Sequence, residues 1–496
     1  MAASSSRERR LSLASLPALP ATVARPDYAP DDVRIGIVHF GPGAFHRAHQ
    51  AAYIDALLAD HPDWGICAVS LHSAEVRDAL QPQDGLYTLA LLGASDRLRV
   101  IGSIREWLCA PQEPDAVLAR LTDPAVRLVT LTVTEKGYAL AGDGLDLAHP
   151  EIAHDLAAPE TPRSVVGYLV AGLRARWRRG IAPYTVLSCD NLAGNGQSLR
   201  RAVLQYAQRI DAALAAWIAA EAAFPCSMVD SITPATDDAL RARVDAALGC
   251  ADAWPVQREP YAQWVVEDRF CNARPPFERV GVTLSRDIAG YDRAKLRLLN
   301  GAHSALAYLG SLLALETVAD AMAEPVLAAF AERLMRESIV PVTVLPEGLD
   351  AGAYVDAILG RFRNPAICHR LSQIAWDGSQ KLPVRLFGTI GDALSVGQPI
   401  GALCLAVAGW MQFVRRQACR GMELVDPLGE ALAVVGRACR GNARDDVAAF
   451  LALDGVFAPL SGDARFVEAL CGAYGVLGEA TPAAVLRVLE EDLARA

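Results

Sequence analysis

The sequence lacks the cysteine patterns that disulfide frameworks and structural zinc sites require. Its eleven cysteines are scattered from Cys67 to Cys471, their number is odd, and no two of them form a Cys-x-x-Cys pair. Both kinds of site would need closer and more regular spacing. We therefore expect reduced, mostly buried thiols, as in a cytoplasmic protein.

Long hydrophobic runs and clustered positive charge are missing as well. The longest apolar stretch, around residues 399–414, is shorter than the about 20 residues that a bilayer-spanning helix needs, and it is predicted to be a buried core helix. The chain has 47 basic and 57 acidic residues and a net charge of −10. Nucleic acids and anionic membranes require a clustered basic surface, so neither partner is expected.

The first thirty residues contain four prolines and no long apolar core. Their arginines, followed by Leu-Ser-Leu-Ala-Ser-Leu, are weakly similar to a targeting signal, but the prolines and the short apolar stretch argue against a cleaved one. Residues 1–30 are predicted to form an N-terminal arm that lies on the following domain.

The order of apolar patterns along the 496 residues predicts two main domains. Short β-branched runs alternate with helical patterns up to about residue 285, at 33–40, 64–71, 127–133 and 184–188. This alternation is typical of a parallel sheet covered by helices. Ala/Leu-rich helical patterns follow, at 295–314, 324–337, 401–417 and 482–496. We predict an α/β domain over residues 31–287 and a mainly α-helical domain over residues 288–496.

A glycine-rich turn after the first strand of the α/β domain predicts a dinucleotide site. Gly41 and Gly43 come directly after that strand and before a helical pattern, where glycine allows a tight turn and a close approach of the backbone to a pyrophosphate. Ala44 and Phe45 would begin the helix. His46 stands where the usual Gly-x-Gly-x-x-Gly pattern has its third glycine, so the motif is incomplete.

Glu75, shortly after the second predicted strand, is the candidate ribose-binding acid. A carboxylate there would accept hydrogen bonds from ribose hydroxyls and repel a 2′-phosphate, which favours NAD over NADP. A solvated acidic residue at a helix start would give the same pattern.

The segment from Tyr291 to Gly310 carries four polar residues with catalytic potential. On a regular α-helix, Asp292, Lys295, Asn300 and His303 fall within an arc of roughly 140°. Alcohol oxidation needs a base for the hydroxyl proton, donors for the developing alkoxide and a group that orients the substrate. Lys295 can be the base if burial lowers its pKa. A helix whose polar side chains simply face water would also fit.

Further polar clusters end strand-like runs or precede helices. They comprise Ser188, Asp190 and Asn191, then Asp230 in a predicted polar turn, and finally Lys381 and Arg385. Ligands bind at the carboxyl ends of strands in α/β sheets, and cations suit sugar hydroxyls or a carboxylate. Each cluster taken alone would also be an ordinary turn.

Over nearly its whole length the chain resembles the mannitol dehydrogenase family of polyol-specific long-chain dehydrogenases. The resemblance is carried by GIVHFGPGAFHRAHQAAYIDALL, VTLTVTEKGY, SCDNLAGNG, FPCSMVDSITPA, EPYAQWVVEDRF, YDRAKLRLLNGAHSALAYLG and DGSQKLPVRL, in this order.

The resemblance implies a Rossmann-type N-terminal domain, a helical C-terminal domain, a site in the cleft between them and metal-free chemistry. It implies Lys295 as acid/base, with Asn191 and Asn300 stabilising the oxyanion. His303 and Lys381 would contact substrate, and Asp230 would belong to the same polar shell. A monomer is compatible with the family, and the partner would be a small sugar acid, polyol or ketose.

Within the family, the stretches around Lys136, FPCSMVD and QIAWDGSQKLPVRL look more like the branch that reduces D-fructuronate than like the mannitol branch. Mannitol dehydrogenases tend to have glycine at the position of Lys136 and arginine at that of Gln373. Fructuronate carries a carboxylate, and Lys136 or Arg385 could supply a cation for it. A neutral polyol, mannitol or arabinitol, stays open as the substrate.

Other classes of protein fit the residues less well. His46 and His49 have no accompanying ligand for a zinc site, and their position suits phosphate contact or core packing better. No Gly-x-Ser-x-Gly elbow predicts a serine hydrolase. A nucleotide-sensing protein without catalysis would have no reason to keep Lys295, Asn300 and Asn191 together.

Overall fold

The computed structural model describes residues 9–93, 97–142, 144–458 and 460–494. The chain divides into two compact units, Met1–Ala289 and Gly290–Ala496. All strands of the described residues belong to the first unit. They are β1 Val23–Ala24, β2 Ile35–Phe40, β3 Gly65–Ser70, β4 Tyr87–Leu91, β5 Arg97–Ile101, β6 Ile104–Cys109, β7 Leu128–Leu131, β8 Leu140–Ala141, β9 Gly144–Leu145, β10 Thr185–Ser188, β11 Ser227–Asp230, β12 Val256–Arg258, β13 Gln263–Glu267 and β14 Thr283–Ser285.

The first unit is built on a five-stranded parallel sheet of order β10-β7-β2-β3-β6. This confirms the predicted Rossmann-type sheet and adds β6, which was not predicted. Smaller sheets are β1-β5-β4-β12, β11-β13-β14 and the ribbon β8-β9. The helices of this unit are α1 Ala44–Ala48, α2 Gln50–Asp55, α3 Glu75–Leu80, α4 Pro114–Thr122, α5 Pro150–Ala157, α6 Val165–Arg178, α7 Asn195–Ile210, α8 Ala212–Glu221 and α9 Asp238–Leu248.

Both faces of the parallel sheet are buried, because its side chains alternate between two hydrophobic clusters. In β2, Val38 and Phe40 pack in one cluster and Ile37 packs in the other. A parallel sheet covered on both sides needs such continuous apolar strands. Because both faces are covered, polar residues of this sheet are expected in the loops at the carboxyl ends of its strands.

The N-terminal arm, where described, packs on this first unit. Residues Leu13–Ala18 form a 3-10 helix, and β1 pairs in parallel with β5. Leu11 is fully buried, and its backbone N–H donates to the carbonyl of Ala251. Residues 1–8 of the predicted arm lie outside the described residues.

The second unit is helical, as predicted. Its α-helices are α10 Ile288–Ala294 (which begins two residues before the division), α11 Asn300–Leu312, α12 Val318–Ala323, α13 Pro325–Arg333, α14 Ala351–Phe362, α15 Leu371–Ile374, α16 Gly378–Leu382, α17 Gly388–Ser395, α18 Gly401–Cys419, α19 Gly429–Ala438, α20 Ala443–Leu451, α21 Ala464–Leu477 and α22 Pro482–Leu493. Three π-helical turns, Lys295–Leu299, Leu334–Ile339 and Pro383–Phe387, interrupt or extend them.

The predicted core helix is α18, which packs against α11, α19 and α21. Most of its residues are buried in one continuous cluster that runs through the unit. In the part of the chain that the structure describes, no helix is long and apolar enough to cross a membrane. All eleven cysteines are unpaired, and seven of them are buried.

Candidate active site

The two glycines of the turn after β2 differ in whether the surrounding atoms leave room for a side chain. Gly41 has a φ of +88°, and a Cβ at this position would lie 2.3 Å from the carbonyl oxygen of Thr132, so the chain's own packing requires glycine. Gly43 has a φ of −70° and an exposed backbone, and the atom nearest to a Cβ there is 3.9 Å away. Nothing in the turn itself needs the second glycine, whose missing side chain leaves open space over the backbone.

The position of the absent third glycine is filled by a packing residue. The His46 ring stacks on that of His39 with centroids 3.3 Å apart, and it is 1% exposed. Burial lowers the pKa of His46 well below its usual value, so the ring is neutral. Ala44 and Phe45 are half-buried in the first turn of α1. In the described residues no three metal-ligating side chains form a group, and His46 and His49 pack as core residues.

Glu75 is the first residue of α3, five residues after the end of β3, and it is exposed. A cavity of about 460 Å³, which the sequence did not reveal, opens at the carboxyl ends of β3 and β6. Leu71, His72, Arg163 and Tyr168 are among its lining residues. The cavity at this edge of the sheet is therefore lined by apolar side chains and by one cation, the guanidinium of Arg163.

Asp190 ties the loop after β7 to the loop after β10. Its carboxylate accepts hydrogen bonds from the backbone N–H of Thr134 at 2.7 Å and from the hydroxyl of Tyr138 at 2.5 Å. Burial raises the pKa of Asp190, an effect that the Tyr138 hydrogen bond opposes. The exposed Lys136 lies in the 3-10 turn between these two donors, and the exposed Asn191 follows Asp190 directly. The loops that carry Lys136 and Asn191 are therefore fixed to each other.

Asn195, which the sequence reasoning passed over although it lies in the SCDNLAGNG motif, joins β10 to β11. Its side-chain amide donates to the carbonyls of Asp190 at 3.0 Å and Ser227 at 2.8 Å, and its carbonyl accepts from the N–H of Ser227 at 3.0 Å. The side chain is 1% exposed. Asp230, expected in a polar turn, is instead the last residue of β11 and pairs with Gln263 of β13. One buried amide thus connects the loop that carries Asn191 to the first residue of β11, the strand that ends at Asp230.

The helix that carries Lys295 is not a regular α-helix, so the 140° arc inferred from the sequence is wrong. Residues Lys295–Leu299 form a π-helical turn between α10 and α11. The backbone N–H of Asn300 donates to the carbonyl of Lys295, five residues back. A π turn inserts one residue per turn relative to an α-helix and is frequent at functional sites. It brings Lys295 and Asn300 onto the same side of the helix.

Lys295 and Asp292 lie one turn apart and interact electrostatically. Lys295 is 9% exposed, and Asp292 is half-buried. Burial raises the pKa of Asp292 to about 6, and the charge of Lys295 acts in the opposite direction. The carboxyl group can therefore exchange a proton near neutral pH beside a buried amine.

His303 lies in α11 and contacts two rings from other segments. Its centroid is 4.3 Å from that of Phe362 and 5.2 Å from that of His369. Burial lowers the pKa of His303 well below its usual value, and nearby His369, Arg361 and Arg385 lower it further. The imidazole is neutral, so it is suited to hydrogen bonding with a hydroxyl.

Lys381 and Arg385 are brought close to His303. The ammonium of Lys381 in α16 donates to the carbonyl of Ile374 at 3.3 Å, and the guanidinium of Arg385 donates to the hydroxyl of Ser304 at 3.1 Å. Burial lowers the pKa of both cations, and Arg385 lowers that of Lys381 further. The second unit therefore assembles Lys381, Arg385 and His303 in one partly buried, positively charged cluster.

Arg361 and His369 complete this cluster and were missed from the sequence, because they lie on separate segments whose pattern is that of ordinary core helices and loops. The rarity of lysine in the sequence could have pointed to this cluster. The chain contains only three lysines among its 47 basic residues, and these are Lys136, Lys295 and Lys381. Arginine does not lose its proton in proteins, whereas lysine can, so a titrating amine stands out against this background.

Comparison with known proteins identifies the family. The description "Mannitol dehydrogenase Rossmann domain" matches residues 35–279, and "Mannitol dehydrogenase C-terminal domain" matches residues 287–477. D-mannonate oxidoreductase of Escherichia coli is 42% identical over 468 residues, which cover 92% of this chain and 96% of that protein. Mannitol 2-dehydrogenase of Aspergillus fumigatus is 40% identical over 458 residues, with 89% and 90% covered.

A solved structure agrees with these relatives. The ternary complex of Pseudomonas fluorescens mannitol 2-dehydrogenase with NAD and D-mannitol matches with a TM-score of 0.79 at 36% identity, covering 97% of this chain and 99% of that one. The chain therefore belongs to the mannitol dehydrogenase family and is an oxidoreductase that acts on the CH–OH group of a polyol or an aldonate.

Proposed function

We propose that this protein is an NAD-dependent, metal-independent reductase that interconverts D-fructuronate and D-mannonate, with Lys295 as the acid/base group. The observation that supports this substrate is the positive cluster around His303. Two arginines and a second histidine are among the groups that shift the pKa of His303. A partly buried cluster rich in cations favours an anionic ligand, because a carboxylate gains charge-assisted hydrogen bonds there that a neutral polyol does not gain.

Within this cluster, Arg385 is the cation that we assign to the substrate carboxylate. Its guanidinium lies beside Ser304, next to His303 in sequence, and burial lowers its pKa. A guanidinium binds a carboxylate through two parallel hydrogen bonds. Lys136 is the second candidate, and its exposed position offers a weaker interaction.

The remaining residues have roles that follow from their chemistry. In the reductive direction the keto carbon gains a hydride, and its oxygen gains a proton from the Lys295 ammonium. Negative charge that grows on this oxygen is stabilised by the amide groups of Asn191 and Asn300. Lys295 then recovers a proton, which Asp292 can relay from solvent because its pKa is about 6. His303, Lys381 and Asp230 would hold the other hydroxyls.

The turn after β2 is the part of the chain that would hold the pyrophosphate of the dinucleotide. A reduced nicotinamide, when bound, supplies the hydride. The open space over the exposed backbone at Gly43 fits a pyrophosphate, and a side chain there would fill it. Ala44 and Phe45 continue this turn, and Glu75 is the candidate for the ribose hydroxyls, which favours NAD over NADP.

Oxidation of NADH and NADPH with D-fructuronate and D-fructose, side by side at neutral pH, tests the proposal. We expect strong turnover of D-fructuronate with NADH and little of D-fructose. Arg385→Gln should raise KM for D-fructuronate about tenfold or more, since a hydrogen-bonded charge pair is lost, while KM for any neutral ketose stays unchanged. Preference for D-fructose would instead assign the protein to mannitol oxidation and leave Arg385 with a structural role.

A further inference from the structure

Lys381 lies in the first turn of a longer helical stretch. Helix α16, Gly378–Leu382, continues without a break into the π-helical turn Pro383–Phe387 and α17. The first N–H groups of a helix have no partner within the helix, so this end depends on contacts from outside. Helix α16 begins after Asp377, a non-glycine residue with a φ of +55°. The N–H of Lys381 donates to the carbonyl of Asp377 at 2.9 Å. The direction of the Lys381 side chain therefore depends on what fixes this turn from outside.

One side of the turn is fixed by tight packing. A Cβ at Gly378 would lie 2.4 Å from Nε1 of Trp410 and 2.7 Å from the hydroxyl oxygen of Tyr308. Both aromatic residues are buried in the core of the second unit. The turn cannot move toward this core.

The other side is fixed by Asp426. Its carboxylate accepts hydrogen bonds from the backbone N–H of Ser379 at 2.8 Å and from the Ser379 hydroxyl at 2.5 Å. The same carboxylate accepts from the N–H of Leu428 at 2.8 Å, which holds it in its own loop. The adjacent Val425 carbonyl accepts from the N–H of Asp377 at 2.9 Å. Asp426 thus connects its own loop to α16 at a point two residues before Lys381.

Asp426 also acts on Lys381 through its charge. Burial and Arg385 lower the pKa of Lys381, whereas Asp377 and Asp426 raise it. Removal of the Asp426 charge would make the ammonium form of Lys381 less stable, in addition to loosening its helix.

We propose that Asp426 is a positioning residue for substrate binding, which holds the α16 turn so that Lys381 is directed at the substrate. The inference rests on the proposed substrate role of Lys381. In this proposal Asp426 itself does not contact the substrate.

Steady-state kinetics of Asp426→Asn, Ser379→Ala and Lys381→Ala, with the double variant Asp426→Asn/Lys381→Ala, test the proposal. We expect Asp426→Asn to raise KM for the sugar substrate about tenfold, as for loss of a charge-assisted hydrogen bond, with kcat within about twofold and NADH affinity unchanged. In the Lys381→Ala background the same change should have no further effect on KM.

A matched control is Asp446→Asn, which alters another carboxylate of this unit that is 3% exposed and accepts from two backbone N–H groups and a tyrosine hydroxyl. It should lower thermal stability without raising KM. An unchanged KM in Asp426→Asn would overturn the proposal. An equal rise of KM in the presence and absence of Lys381 would overturn it too.

A second measurement does not depend on which sugar is the substrate. Lys381 is one of only three lysines, so an amine-selective acylating reagent at low dose, followed by peptide mass spectrometry, reports it separately from Lys136 and Lys295. Asp426→Asn should increase the acylation rate of Lys381 severalfold and leave the other two rates unchanged. An unchanged Lys381 rate would overturn the proposal. If the wild-type enzyme uses neither D-fructuronate nor D-fructose, the proposed function fails while this measurement still decides the role of Asp426.

Discussion

The backbone N–H of Asn300 donates to the carbonyl oxygen of Lys295, so a π-helical turn begins at the proposed acid/base residue and closes at the proposed oxyanion donor. In a regular α-helix this N–H would bond one residue later in the chain, and the two side chains would point about 140° apart. The extra residue of the turn aligns them. In the proposed mechanism, this backbone shape lets both side chains act on one oxygen.

Insertion of one alanine after Leu296 should abolish this alignment. Asn300 would then follow Lys295 by six positions, where neither an α-helical nor a π-helical hydrogen bond joins the two residues, and on an α-helix their side chains would point about 120° apart. We expect kcat to fall about 10²-fold or more, as for other misplaced catalytic groups, with NADH affinity unchanged. Stopped-flow kinetics and cofactor fluorescence measure both quantities.

A matched control is insertion of one alanine after Glu337, an exposed residue in the π-helical turn Leu334–Ile339, which contains none of the proposed site residues. It should cost stability but keep kcat within about fivefold of wild type, since no catalytic group is displaced. A folded variant with the insertion after Leu296 and wild-type kcat would show that the turn does not align the two residues.

Replacement of Lys295 by arginine tests acid/base chemistry separately from charge. Arginine keeps the positive charge but does not release its proton at accessible pH. Lys295→Arg and Lys295→Ala should both lower kcat, by roughly 10²–10⁴-fold, with little loss of nicotinamide affinity. Added alkylamines should partly restore Lys295→Ala and not Lys295→Arg. Near-native turnover in the arginine variant would exclude proton transfer by Lys295.

Much of the fold could be predicted because its signals are local. The runs at 33–40, 64–71, 127–133 and 184–188 became β2, β3, β7 and β10, since continuous apolar strands are what a doubly covered sheet requires. Strand β6 was missed because Arg105 and Glu106 interrupt its apolar pattern.

The geometry of the candidate site could not be predicted from the sequence to the same extent. A helical periodicity assumes a constant rotation per residue, so it cannot reveal the π turn at Lys295. Long-range partners leave no local pattern: Asp426 and Ser379, for instance, are 47 residues apart. The candidate residues themselves were predicted because a motif is a local feature, whereas the contacts that orient them depend on tertiary structure.

Asp292 should make stability depend on pH in a defined window. Burial raises its pKa to about 6 in the folded state, above the value of about 3.9 in an unfolded chain. The protonated carboxyl is thus favoured by folding, and its contribution to the free energy of unfolding is lost as the pH rises from about 4 to about 6. Urea unfolding of wild type and Asp292→Asn should give a difference that falls across this window and is constant above about pH 7. A difference that does not change with pH would show that the pKa of Asp292 is not raised.

A second variant at this position, Asp292→Ala, tests the proton relay. If Asp292 carries protons between Lys295 and solvent, the pH profile of kcat in Asp292→Ala should lose an ionisation near pH 6. The loss of kcat should be largest where deprotonated Asp292 would accept the proton, above that pH, in the direction of alcohol oxidation. A profile identical to that of wild type would rule out the relay while leaving Lys295 as the base.

The two glycines of the turn after β2 should respond in opposite ways to alanine. Gly43→Ala places a methyl group in space that the protein leaves open, so thermal stability should change little while the Kd for NADH rises about tenfold or more through collision with the cofactor. Gly41→Ala must adopt a φ of +88° and overlap the Thr132 carbonyl, so it should lower the melting temperature markedly. Differential scanning fluorimetry and NADH fluorescence titration separate the two effects. If Gly43→Ala bound NADH as tightly as wild type, the open space at this position would not be the place of the pyrophosphate.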